Sequence, residues 1–203
     1  MNRFVKNAFF ISAASTFLLT GCAHYRASDL TSPDPQYIKT YSELPDIEIG
    51  CKAFSKDDCR DYLGRDILAQ GYQPILLTFY NKTDHYYLFS TGGMSLTCVS
   101  PKQVANTVHT STATRVIGYG IGSIFIPILI IPAIVDGICS SHSNTALDRD
   151  FASKGKQDFI IDPKSFRKTV VFIRNRDFHS VFDLTLVERE TGVRKTVGIE
   201  VMR

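Results

Sequence analysis

The sequence predicts a mainly β chain: an antiparallel β-sandwich with a short N-terminal helix and an inserted apolar hairpin or helical element. Three observations carry this. Short runs of β-branched and aromatic residues recur, with turn signals about every dozen residues. Phe182-Asp183-Leu184-Thr185-Leu186-Val187 alternates side chains as a half-buried antiparallel strand does. Phe (14) and Tyr (9) are abundant while Trp is missing, a composition that suits strands.

The N-terminus is read first. Arg3 and Lys6 precede an apolar run, Ala8–Leu19, which ends in Leu19-Thr20-Gly21-Cys22. A basic region, an apolar region and a small residue before a cut make a secretory leader. The run is shorter than the ~20 residues of a membrane span and is interrupted by Ser12, Ser15 and Thr16. Leu-Thr-Gly-Cys resembles the lipobox of bacterial lipoproteins. The resemblance implies a diacylglyceryl group on Cys22, cleavage between Gly21 and Cys22, and acylation (palmitate among the chains) of the new amine. Two or more acyl chains anchor a protein stably where one does not. Ala23, in place of the aspartate that favours retention in the inner membrane, implies an outer-membrane, periplasm-facing protein.

Removing residues 1–21 from 203 leaves 182, enough for one domain with a core. The leader takes two of the 23 Lys+Arg residues, so the rest is near balance with 20 Asp+Glu. Near-neutral charge without a basic patch argues against nucleic acid as a partner. Five cysteines leave four after Cys22: Cys51, Cys59, Cys98 and Cys139. An even number in an oxidising compartment makes them candidate disulfides, with Cys51–Cys59 the local pairing and Cys98–Cys139 the remainder. Buried free thiols are the alternative. No C-x-x-C supports a zinc ribbon, and neither a metal nor a cofactor is expected.

Residues 22–50, with Ser32-Pro33-Asp34-Pro35, read as a lipidated flexible tether, and residues 51–203 as the domain. Ser55 followed by Asp57 and Asp58 resembles a capping box, and Cys59, Tyr62, Leu63 and Ile67 share one face. Together they predict a helix over about 56–70, stopped by Gly71. Pro74–Asn81 is the first strand, Asn81-Lys82-Thr83-Asp84 a turn, and His85–Thr91 the returning strand. Gly92-Gly93 breaks it before a further strand, Met94–Val99. Asp158–Ile161, Thr169–Arg174, Val181–Glu188 and Lys195–Val201 follow, with a hairpin turn at Thr191-Gly192. The stretches I-L-L-T-F-Y-N-K-T and F-I-I-D-P-K-S-F-R-K-T-V-V-F-I resemble immunoglobulin-like domains of bacterial exported proteins. That resemblance implies the sandwich and carries no functional residue with it.

Val116–Val135 holds no charge between Arg115 and Asp136 and is long enough to span a membrane as a helix. Gly118 and Gly122 form G-x-x-x-G, a spacing for close helix approach. A single span would put the two halves of one sheet on opposite sides of the bilayer, and Pro127 and Pro132 would bend a helix. The favoured reading of the insert, 116–139, is therefore a hairpin or re-entrant element. Its contacts with membrane, partner or a second copy would come through Gly118, Gly122, Ile126, Pro127, Ile130 and Pro132. Single spanning and burial in the core stay open. Beyond the insert, Ser143 or Asn144 caps a short helix through Phe151, with Lys154 and Gly155 at its end.

Histidines at 24, 85, 109, 142 and 179 are scattered. His109 and His142 flank the insert and would meet if it is a hairpin, a weak basis for a hydrolase. Asp183 and Glu188 read as solubilising charges on the open face of a strand. H-E-x-x-H, G-x-S-x-G and S-x-x-K are all missing, and no catalytic residue is expected. The expectation is a non-enzymatic, lipid-anchored envelope protein, structural or assembling, that contacts membrane or partner subunits through the insert. The alternative is a periplasmic binding module for a lipid or other apolar ligand.

Overall fold

The computed structural model describes residues 25–32, 35–41, 44–109 and 130–201, with the backbone alone given for Pro35, Thr40 and 130–140. The chain divides into two compact units, residues 1–25 with 109–147 and residues 26–108 with 148–203. The second unit holds the β structure, and its architecture is a two-sheet antiparallel sandwich, as the sequence predicts.

Nine strands are present among the described residues: β1 (Ile38–Tyr41), β2 (Leu44–Ala53), β3 (Tyr72–Asn81), β4 (Tyr87–Met94), β5 (Cys98–Val99), β6 (Asp158–Ile161), β7 (Phe166–Arg174), β8 (Val181–Glu188) and β9 (Arg194–Glu200). Sheet A runs β1-β2-β3-β7-β5 and sheet B runs β6-β4-β8-β9. Every pairing is antiparallel. Three helices accompany them, α1 (Lys56–Leu63), α2 (Pro101–Thr107) and α3 (Ile130–Lys154).

The core between the sheets follows period 2. Ile47, Ile49, Cys51 and Ala53 of β2, Ile75, Leu77 and Phe79 of β3, and Val171 and Ile173 of β7 face Tyr87, Phe89, Phe182, Leu184, Leu186, Val197 and Ile199 of sheet B. Phe79, Phe89 and Phe159 fill the space at centroid separations of 5.1, 6.0 and 4.9 Å. The other face of β3 and β7 is apolar too: Leu76, Val170 and Phe172 are buried outside that core. Helical segments supply the cover. Phe151 of α3 stacks on Phe172 at 5.6 Å, and α2 packs on β7. Cys59 and Leu63 of α1 and Val104 and Ala105 of α2 are buried. Sheet A is thus covered on both faces.

Several elements differ from the sequence reading. Residues 38–41 and 44–50, expected within the tether, belong to β1 and β2. The alternation Ile47, Ile49, Cys51, Ala53 is the strand signal, interrupted in the sequence by Pro45, Asp46 and Gly50. Helix α1 has the predicted capping box, with Asp58 N donating to Ser55 Oγ at 3.1 Å and Ser55 N donating to Asp58 Oδ2 at 2.8 Å. It stops at Gly64 (φ 61°) rather than Gly71. Gly92-Gly93 does not break β4, which runs through them with a register shift between Phe89 and Met94. A Cβ on Gly93 would stand 2.8 Å from Thr185 O, so this bulge excludes a side chain. Helix α3 already spans Ile130 onward, so Ser143 and Asn144 lie within it rather than at its start.

The candidate disulfide Cys51–Cys59 does not form, and Cys51, Cys59 and Cys98 are free thiols. The reason is the strand period. Lys52 Nζ reaches Asp58 Oδ1 of α1 at 2.8 Å, so α1 lies on Lys52's face of sheet A. Its neighbour Cys51 points the opposite way, into the core. The side chain of Cys139, the expected partner of Cys98, lies outside the described residues. Burial pushes Cys51 up to about 12, against a small opposing pull from Lys39. Burial likewise pushes Cys59 and Cys98 up to about 11 each.

At the turn after β3, Asn81 is fully buried and uses its whole amide. Nδ2 donates to His85 O (2.8 Å) and Asp162 O (3.0 Å), and Oδ1 accepts from Thr83 N (2.9 Å) and Thr83 Oγ1 (2.7 Å). It ties the β3–β4 turn to the β6–β7 connection. Asn81→Ala should lower unfolding free energy by about 3 kcal/mol, read from the urea midpoint, because buried backbone groups lose their partners. The raised thiol values give a second test. Iodoacetamide at pH 8 should modify native Cys51, Cys59 and Cys98 slowly, since the thiolate is scarce until pH rises toward 11. All three should react on unfolding without any reductant.

Candidate functional site

The C-terminal turn of α1 is where distant parts of the sandwich unit meet. A helix end leaves its last carbonyls without intrahelical donors and carries partial negative charge. Here Gly64 N caps back to Arg60 O at 3.0 Å, and Asp61 and Tyr62 take donors from elsewhere in the chain. Ser28 N donates to Asp61 O at 2.7 Å. Lys154 Nζ donates to Tyr62 O, Ser28 O and Asp150 Oδ2, each at 2.8 Å. The ammonium therefore uses three donors on three acceptors, one of them a carboxylate a helical turn away, and its side chain is only 6% exposed. Burial without such partners would be costly.

The same region holds two further chain segments. Arg65, just past α1, donates from Nε to Val108 O at 3.4 Å and from Nη1 to Gly64 O at 2.8 Å. Thr31 Oγ1 and the Tyr62 hydroxyl share a hydrogen bond of 2.7 Å. Lys168 of β7 donates to Leu30 O, and Leu30 itself is buried. Residues 28–31 are thus bound along the domain rather than free of it, which corrects the tether reading for this stretch. Gly155 allows the close approach of α2 to the end of α3: a Cβ there would stand 2.6 Å from Pro101 Cγ.

Three roots are gathered at this pole. Ser28 begins the path back toward Cys22. Val108 is the last residue of the sandwich unit before the insert, and Lys154 lies six residues past Asp148, where the chain re-enters that unit. The path toward Cys22 and the two points where the chain leaves and re-enters the sandwich unit around the insert therefore lie near the last turn of α1.

Of the sequence-predicted site residues, Gly21, Cys22, Gly118, Gly122, Ile126 and Pro127 lie outside the described residues. Ile130 and Pro132 lie in α3, with only their backbone described. Among the described residues no helix is long and apolar enough to cross a membrane. His109 and His142 both belong to the first unit. Asp183 is exposed on β8, as expected, but Glu188 is buried. The two are five residues apart, an odd offset that puts them on opposite faces of a strand. Sequence reasoning missed the role of Lys154, which it placed at a helix end without a partner. The signal available was Asp150 four residues earlier, an i,i+4 pair.

Lys154→Met should cost about 3 kcal/mol in stability, because it strips a buried cation from its acceptors. Limited trypsin digestion at Arg26 should accelerate in this variant as residues 28–31 come loose. Unchanged cleavage would show that Lys154 does not hold that segment.

No protein-family model matches this chain, and no curated protein does either.

Proposed function

We propose that this protein is a non-enzymatic, lipid-anchored component of the bacterial envelope, held by acyl chains on Cys22 in the outer membrane. Its work is to present the apolar insert, 116–135, to the membrane or to a partner subunit. One observation supports the reading above others. The chain leading from Cys22 and both ends of the insert attach to the sandwich around one helix terminus, through Ser28, Val108 and Lys154. The sandwich then serves as a rigid base, and its interior is filled by its own side chains.

The tests use the full chain in its host. Labelled palmitate should enter the wild type and not Cys22→Ala; equal labelling of both removes the anchoring. Deleting 116–135 should abolish copurification of partners while the β spectrum and unfolding transition of the sandwich persist. The same partners recovered with the deleted protein would remove the role of the insert.

A further inference from the structure

We infer that His85, Glu188 and Glu190 form a divalent-cation site at one end of sheet B. Their donor atoms, one imidazole nitrogen and two carboxylate oxygens, all lie within 4.8 Å of one another. His85 Nδ1 is 3.2 Å from Glu188 Oε1. Around a zinc ion with bonds of about 2.0–2.2 Å, tetrahedral donors stand roughly 3.4 Å apart. That pair therefore needs almost no movement. Only the exposed Glu190 must swing inward.

The backbone holds the three residues in place before any ion arrives. Tyr87 of β4 pairs with Glu188 of β8, so His85, two residues before β4, and Glu190, two residues after β8, are both just beyond that pair. His85 O accepts from Asn81 Nδ2 at 2.8 Å, and His85 N donates to Thr83 Oγ1 at 3.1 Å. Glu188 N donates to Val193 O, and Gly192 N donates to Glu188 O, closing the β8–β9 turn. Arg189 N donates to Tyr86 O at 2.9 Å, and Glu190 Oε1 accepts from Tyr86 N at 3.2 Å. The β3–β4 connection between the sheets and the β8–β9 hairpin turn, distant in sequence, thus present their donors to one point.

Charge calls for a cation there. Glu188 is only 9% exposed, a burial that carboxylates avoid unless paired. Among the described residues neither Glu188 nor Glu190 forms an ion pair with a lysine or arginine, and the Arg189 guanidinium instead lies over the Tyr86 ring. One imidazole and two carboxylates suit zinc, with a fourth position for water. Calcium wants six to eight oxygens. Bound there, the ion cross-links the β3–β4 and β8–β9 turns. The site is independent of the lipid-anchoring proposal.

The experiment is titration of chelator-washed, full-length protein in detergent micelles with zinc chloride, followed by calorimetry and thermal unfolding. One zinc should bind, and the unfolding midpoint should rise. His85→Ala and Glu190→Gln, both at exposed positions, should each weaken binding at least about tenfold. Glu190→Gln should unfold at the wild-type midpoint without zinc, which separates loss of a ligand from loss of fold. Cobalt in place of zinc should show no thiolate charge-transfer band. Failure to bind zinc stoichiometrically, affinity unchanged in both variants, or a thiolate band from the cysteines would each overturn the site.

Discussion

A sheet buried on both faces has to be covered twice, and that requirement organises this molecule. β3 and β7 carry large apolar side chains in both directions, Leu77 and Ile173 into the sandwich, Leu76 and Phe172 away from it. Sheet B satisfies the first face by strand-on-strand packing. The second is covered by pieces that are far apart in the chain: α1, α2, the end of α3 and Leu30. Pieces so short have little helical stability alone and persist through tertiary contacts. Lys154 is the fastener among them, because one ammonium satisfies carbonyls on two segments and a carboxylate on its own helix.

How much of this was legible depended on the range of the interaction. Strand bounds at Asp158–Ile161 and Val181–Glu188 agree with the sequence reading, since alternation and flanking turn residues are local signals. The capping box at Ser55 and Asp58 was equally legible for the same reason. β2 was not, although it alternates, because Pro45 and Gly50 look like breakers. Pro45 sits at the strand's second residue, a place that tolerates it. The cysteine pairing failed because proximity in sequence says nothing about which face of a sheet a side chain takes. Lys154 with Ser28 and Tyr62, and His85 with Glu188 and Glu190, join residues from different parts of the chain. No spacing rule brings them together before the topology is known.

The two ends of the insert explain how an apolar stretch interrupts a sandwich without disturbing it. It lies after α2 and overlaps α3, outside every strand, and the flanking residues Val108 and Lys154 are tied by polar contacts to the region around the end of α1. Sheet pairing is complete on either side of it: β5 joins β7, and β6 joins β4. Changes in the length or character of the insert therefore leave strand register untouched.

The docking of Ser28 has a consequence for how far this protein can act. Six peptide links separate Cys22 from Ser28, and fully stretched they cover at most about 20 Å. Were Cys22 lipidated as proposed, that leash would set the longest reach of the docked Ser28 from its acyl chains.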